Sequence, residues 1–249
     1  MEKGTLVNEE RIFAFVDLDD TLFQTKQKNE QGITPATQAP NDSSISYMTD
    51  YQSLFLELLQ GHNKVSIIPT TARDLRQYNN TFLSQQGDIQ YAILYFGAVI
   101  LKQGHKDQTW EAHIQTQYQK LSCSVDSVWS QMNETKQAFE HGDKFKLSNV
   151  GGYYVGMKAE RGCDPKIAAE LFEQLKQLCP DDYFVHTNGR SLSLIPQCSD
   201  KSHAVEYLIK QHQPTLTLGV GDSLTDLPFM QRCDYRIFPR TAQIEEKIG

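Results

Sequence analysis

The stretch that most constrains this chain is Ile12–Leu22, Ile-Phe-Ala-Phe-Val-Asp-Leu-Asp-Asp-Thr-Leu. Its first five residues are apolar, and they are rich in aromatic and β-branched types. Such a run predicts a short strand buried on both faces of a parallel sheet. The run stops in three carboxylates, Asp17, Asp19 and Asp20. Open α/β sheets bind ligands beyond the carboxyl ends of their strands, so these acids stand where a ligand is expected. Clustered carboxylates repel one another and call for a cation. An EF-hand loop is excluded, because Leu22 and Lys28 stand where that loop needs Gly and Glu.

The rest of the chain continues the α/β pattern. Gln24–Tyr47 is polar and long for a connection, which predicts either a flap over the site or a disordered excursion. Thr49 or Asp50 caps a helix whose apolar face is Leu54, Phe55, Leu58 and Leu59, and Gly61 ends it. Val65–Pro69 is a second buried strand and runs into Thr70-Thr71-Ala72-Arg73-Asp74. Asp74 caps a helix through Tyr78 and Phe82, and Ala92–Phe96 is a third strand. This β-α-β-α-β order implies a parallel sheet with right-handed crossovers.

Beyond residue 103 the pattern changes. Trp110–Phe139 reads as helix. Two hairpins follow, Phe145–Val150 with Tyr153–Lys158 across Gly151-Gly152, and Phe184–Thr187 with Arg190–Ile195 across Asn188-Gly189. Between them Pro165–Leu178 is a helix with Ala168, Leu171, Phe172 and Leu175 on one side. The order α-ββ-α-ββ is an α+β unit with an antiparallel sheet. The expected organisation is a core of residues 1–103 and 199–249, interrupted by an inserted domain at 104–198. The core pattern then resumes with a helix at His203–Gln211, strands at Leu216–Gly221 and Tyr235–Phe238, and a helix starting near Leu227.

Composition narrows the class of function. Among 249 residues, 39% are hydrophobic and 22% charged, and the net charge is −7. An acidic chain without a basic run is poorly suited to nucleic acid or an anionic membrane, although a local basic pocket for a small anion is compatible with it. Met1–Arg11 has no apolar signal core, and no run is long enough to span a bilayer. Five scattered cysteines without a C-x-x-C pair read as reduced thiols, so a cytoplasmic protein, a monomer or weak homodimer, is expected.

Three features fall at carboxyl ends of expected parallel strands: Asp17 with Asp19, Thr70 with Thr71, and Asp222 with Asp226. Lys201 begins the helix that returns to the core. Acids at one sheet edge suit a hard cation such as Mg2+. A hydroxyl and an ammonium bind a phosphoryl group, and a carboxylate oxygen can attack phosphorus. The segment Gly219–Leu224 begins like a dinucleotide-binding turn but has Leu where the third glycine belongs.

Asp17-Leu18-Asp19-Asp20-Thr21, Thr71, Lys201 and Gly221-Asp222-Ser223-Leu224-Thr225-Asp226 resemble, in order and spacing, the four motifs of the haloacid dehalogenase superfamily. The resemblance covers essentially the whole chain. The position of the insertion resembles the cap of the sugar-phosphatase branch, which includes sucrose-phosphate and mannosyl-phosphoglycerate phosphatases and the Cof-type hydrolases. Phe96-Gly97-Ala98-Val99-Ile100 resembles an Asn-Gly-Ala-x-Ile turn of that branch, with Phe in place of Asn.

The resemblance implies a Rossmann-like core and a Mg2+-dependent phosphomonoesterase acting on a small phosphorylated metabolite, a sugar or sugar-acid phosphate. By position, Asp17 resembles the nucleophile that forms an aspartyl-phosphate, and Asp19 the general acid and base. Asp17, the Asp19 backbone carbonyl and Asp222 resemble the metal ligands, with Asp226 a ligand or a neighbour of one. Thr71 and Lys201 resemble the phosphate binders, with Thr70 an alternative to Thr71. Thr187, Arg190 and Tyr153 are the expected substrate contacts of the inserted domain, with Tyr154 and His186 as further candidates on its hairpins. Two rival readings are a phosphomutase on the same fold and a phospho-ligand sensor without turnover.

Overall fold

The computed structural model describes residues 11–25, 28, 34–37, 46–240 and 242–244. Most of Met1–Arg11 and much of Gln24–Tyr47 lie outside the described residues. In chain order the elements are β1 (Ile12–Val16), β2 (Gln24–Thr25), β3 (Thr34–Pro35), β4 (Ser46–Met48), α1 (Asp50–Gln60), β5 (Val65–Pro69) and α2 (Leu75–Asn79). There follow β6 (Tyr91–Leu94), β7 (Val99–Lys102), β8 (His105–Lys106), α3 (Gln108–Tyr118), α4 (Val125–Ala138), β9 (Phe145–Val150) and β10 (Tyr154–Ala159). The last are α5 (Pro165–Lys176), β11 (Tyr183–Asn188), β12 (Ser191–Pro196), α6 (Lys201–His212), β13 (Leu216–Val220), α7 (Leu227–Met230) and β14 (Tyr235–Ile237).

The core is a parallel sheet in the order β14-β13-β1-β5. β1 is central, and its residues Ala14, Phe15 and Val16 are fully buried because helices cover both faces. β6 extends this sheet through a parallel bridge between Thr70 and Ile93. Its main partner, however, is β7, antiparallel, with Ile93 opposite Ile100. The sequence reading missed β7 because Val99–Lys102 follows so closely on the 3-10 turn Tyr95–Gly97.

A second, antiparallel sheet runs β11-β12-β10-β9. The fold is therefore a Rossmann-like parallel core with an inserted α+β unit. Leu171, Phe172 and Leu175 of α5 and Val128 and Met132 of α4 pack on one face of the inserted sheet, with Val155, Met157, Leu192 and Leu194. The α5 face is the one the spacing predicts. Two helices, α3 and α4, stand where one helical region was read.

Three expectations are corrected. Leu54 and Leu58 are exposed, whereas Leu56, Leu59 and Gln52 face inward. Gln52 explains the rotation: its amide donates to the Thr21 carbonyl at 3.1 Å, and it closes the capping box with Thr49. The α2 helix ends at Asn79, short of Phe82, after a capping box of Asp74 with Gln77. The hairpin loops are also shifted. Asn188 pairs with Ser191, so the loop is Gly189-Arg190, and Val150 pairs with Tyr154, so Tyr153 belongs to a three-residue loop. In the polar stretch after the first strand, β2, β4 and β3 form a small sheet, and Ala36 and Met48 are buried beneath it.

Candidate active site

β1, β5 and β13 end side by side, and their next residues build the site. The Asp17 N–H donates to the Val220 carbonyl and the Thr70 N–H to the Val16 carbonyl, each at 2.8 Å, so these ladders fix where the acids and threonines emerge. Asp20 turns the chain at φ 65°, and the Leu22 and Phe23 amides close back on the Leu18 carbonyl. Fully buried Leu18 and Leu22 anchor this turn in the core, which leaves the acids on its open side.

After β13 the chain makes a tight loop through Gly221–Asp226. A Cβ at Gly221 would lie 2.6 Å from Cβ of Asp226, so only glycine lets that carboxylate in. Asp226 Oδ2 accepts from the Ser223 amide at 3.0 Å and its hydroxyl at 2.7 Å. Its Oδ1 accepts from Lys201 Nζ at 2.7 Å. Lys201, the first residue of α6, also donates to Asp17 Oδ1 at 2.6 Å.

The remaining oxygens are less well served. Thr21 Oγ1 sits 3.2 Å from Asp17 Oδ2 and 3.3 Å from Asp222 Oδ1, and one hydroxyl has one proton for the two. Asp17, Asp222 and Asp226 are buried, with ligand oxygens all within 4.8 Å of one another. Three carboxylates thus face one ammonium. Burial, with the neighbouring Asp226 and Asp20, raises the Asp222 carboxyl to about 7. Burial also raises Asp17 well above the carboxylate range, against the pull of Lys201. Burial alone would lower Lys201, but Asp17 and Asp226 override it and hold the ammonium charged. An all-oxygen set with excess negative charge fits a hard divalent cation such as Mg2+, and the under-served oxygens belong to Asp17 and Asp222. Asp226 belongs to the same oxygen cluster, and its two oxygens also accept from Lys201 and from the Ser223 loop.

Asp19 stands apart from this cluster. Arg73 Nε and Nη2 donate to its two carboxylate oxygens at 2.7 Å each. The guanidinium lies 5.0 Å over the Phe23 ring and donates from Nη1 to the Gln77 carbonyl at 3.3 Å.

A cavity of about 50 Å3 joins these groups, lined by Asp17, Asp19, Thr71, Lys201, Asp222 and Thr225, among others. Thr71 reaches it, whereas the Thr70 hydroxyl turns back to the Ile68 carbonyl at 3.0 Å. Phe96, His186 and Asn188 form the opposite wall. Of the expected contacts from the inserted unit, His186 lines the cavity, whereas Thr187, Arg190 and Tyr153 lie elsewhere. Thr187 falls on the other face of β11 from His186 and Asn188, since successive side chains alternate. Arg190 donates to the Ala159 carbonyl at 2.9 Å. Tyr153 packs on Tyr95 at 4.8 Å, where the core meets the inserted sheet. Strand alternation, counted from buried Tyr183, is the signal that finds His186 and Asn188. Burial and Lys201 lower the His186 imidazole to about 4, so it is neutral near pH 7.

Residues 11–237 match the family described as sucrose-6F-phosphate phosphohydrolase. Among solved structures, the chain is similar to the sucrose-phosphatase of Synechocystis determined with sucrose and phosphate, at 19% identity and a TM-score of 0.57 over 96% of this chain and 86% of that one. It is also similar to the C-terminal domain of trehalose-6-phosphate phosphatase from C. albicans, at 16% identity and a TM-score of 0.59, over 89% and 73% of the two chains. A haloacid dehalogenase-like hydrolase from B. subtilis matches at 14% identity and a TM-score of 0.54, over 96% and 92%. No curated protein matches the sequence.

Proposed function

The chain belongs to the sucrose-6F-phosphate phosphohydrolase family, phosphomonoester hydrolases of the haloacid dehalogenase superfamily, and from that premise we propose a Mg2+-dependent hydrolysis of a small sugar or sugar-acid phosphate through an aspartyl-phosphate on Asp17. The observation that carries this reading is the state of Asp17. One of its oxygens is held by Lys201, the other faces Asp222 across Thr21, and the residue borders the cavity that Thr71 lines.

In this reading Lys201 and Thr71 bind the phosphoryl oxygens and orient phosphorus toward Asp17. An Asp17 oxygen forms the new bond to phosphorus as the bond to the sugar oxygen breaks, and Asp19 gives its proton to that leaving oxygen. Asp19 then removes a proton from water, whose oxygen attacks phosphorus and frees the Asp17 carboxylate. Asp17, Asp222 and the Asp19 carbonyl would hold Mg2+, which when bound neutralises charge on the transferring group. The segment 104–198 serves as a cap that presents His186 and Asn188 to the sugar, beside Phe96 of the core. The chain's five unpaired cysteines suit a reducing compartment, which favours the cytoplasm.

The test is phosphate release from p-nitrophenyl phosphate and a panel of sugar phosphates. Release should vanish with excess chelator, return with Mg2+, and be lost in Asp17→Asn. Full activity in chelator overturns the metal requirement, and near-normal turnover by Asp17→Asn overturns the covalent step.

A further inference from the structure

The inserted sheet turns one face to α4 and α5 and the other to the cavity. Register fixes the composition of the cavity-side face. Nearest the core its row is apolar, with Phe184, Ile195, Tyr154 and Val150 packed about Phe96. The next row is His186 opposite Ser193, Ser193's neighbour Gly156, and Ser148 opposite Gly156. The outermost row runs Asn188, Ser191, Lys158 and Lys146, each directly opposite the next.

That outer row sets two lysines opposite one another across β9 and β10. Like charges directly opposite in an antiparallel pair destabilise it. Both lysines are exposed, and neither is engaged in an ion pair among the described residues. Beyond them the Glu160 N–H donates to the Lys144 carbonyl at 2.9 Å, and among the described residues Glu160 forms no ion pair with either lysine of the row. This unrelieved positive pair occurs in a chain of net charge −7. It also shares its row with Asn188, which lines the catalytic cavity. At about 4.8 Å per strand, Lys158 stands roughly 10 Å from Asn188 across the sheet. A sugar unit extending from the cavity wall at Asn188 toward the lysines can cover that distance.

We propose that Lys146 and Lys158 form a second anion-binding subsite, so that the preferred substrate is a sugar phosphate carrying a further phosphate or carboxylate on the side remote from the scissile phosphoryl group. The subsite rests on the phosphatase reading above and deepens it by naming the substrate class. Hydroxyls of the sugar would meet His186, Ser193 and Ser191, and Gly156 between them adds no side chain to that face.

The experiment compares matched substrates. kcat/KM is measured for fructose 1,6-bisphosphate against fructose 6-phosphate, and for 6-phosphogluconate against glucose 6-phosphate. Each is assayed in the parent and in Lys146→Gln, Lys158→Gln and the double variant. The parent should prefer one doubly anionic member of a pair by at least about tenfold, and the pair that shows it identifies phosphate or carboxylate. The double variant should lose most of that ratio, chiefly through KM. Because a ratio is taken within each variant, a general effect on folding cancels. An equal ratio in parent and double variant, or no parental preference in either pair, overturns the subsite while leaving phosphatase activity standing. Absence of phosphate release from all four sugars and from p-nitrophenyl phosphate overturns the phosphatase reading itself, and this one with it.

Discussion

Arg73 grips Asp19 with two parallel hydrogen bonds of 2.7 Å, from Nε to Oδ2 and from Nη2 to Oδ1. A bidentate guanidinium fixes the plane and the aim of the carboxylate. In the proposed mechanism Arg73 thus sets the direction from which Asp19 meets the leaving oxygen and then the water.

Replacement of Arg73 should show in the leaving-group dependence. Lysine supplies charge without the fork, so Arg73→Lys leaves Asp19 less well aimed. For a sugar phosphate, whose alkoxide leaves poorly, kcat should fall by about a hundredfold, the usual scale of acid catalysis. For p-nitrophenyl phosphate, which needs little protonation, the loss should be within about threefold. An equal loss on both substrates would mean that Arg73 binds the phosphoryl group itself.

Asp17→Asn should abolish turnover by at least about a thousandfold, the order seen when a nucleophile is removed from a concerted site. Lys201 keeps its bond to Asp226, so circular dichroism and the melting temperature should stay close to those of the parent. Asp19→Asn should differ: a phosphoenzyme should still form with p-nitrophenyl phosphate and then persist, detectable by intact mass. Rapid turnover by Asp19→Asn would remove Asp19 from the acid and base roles.

Asp222 gives the metal-free protein a definite pH trend. Its carboxyl is raised to about 7 in the fold, chiefly by burial. In the unfolded chain it titrates near 4. The folded state thus holds a proton that the unfolded state has released, and that contribution to stability is present below about pH 4 and is lost as pH rises through 7. With chelator present, the melting temperature should fall between pH 5 and pH 8. Mg2+ competes with the same proton, so its stabilising effect should grow over that range. A chelator curve that rises with pH would show that the carboxylates are relieved by groups other than a cation.

Phe96 should prove stabilising despite its backbone. Tyr95, Phe96 and Gly97 have φ values of 52°, 61° and 128°, the left-handed region that favours glycine. At Gly97 no alternative exists, because a Cβ would come within 2.6 Å of the Ser199 carbonyl. At Phe96 the strain is about 1–2 kcal/mol. The ring meets Tyr154 at 5.2 Å and His186 at 5.1 Å, both edge-on, and loss of such a buried ring costs about 3–5 kcal/mol. Phe96→Gly should therefore lower the melting temperature by several degrees. A higher melting temperature would show that strain outweighs packing there.

The sequence discloses what is local and what is chemically unusual. Val65–Pro69, the carboxylates after Val16 and Val220, and the α5 face are legible because apolar runs and capping residues determine them within a few positions. The inner face of α1 is not legible, since Gln52 turns inward only to meet the Thr21 carbonyl, 31 positions away. The wall of the cavity formed by His186 and Asn188 follows from strand alternation, which sends Thr187 to the other face. The left-handed φ of Gly189, 54°, shifts the loop to Gly189-Arg190 and so takes Arg190 out of the strand, which the dipeptide Asn188-Gly189 does not disclose.

The position of β1 has a consequence for synthesis on the ribosome. Its two neighbours are β5, made soon afterwards, and β13, made near the far end of the chain. While the inserted unit is being translated, β1 can pair along one side only. Its other side is an unpaired edge of Phe13, Ala14, Phe15 and Val16, the kind of strand that recruits other chains. The inserted unit, contiguous in sequence and with its own apolar cluster, can close first. The clustered acids are thus brought together last, when β13 arrives and carries Asp222 to the side of Asp17.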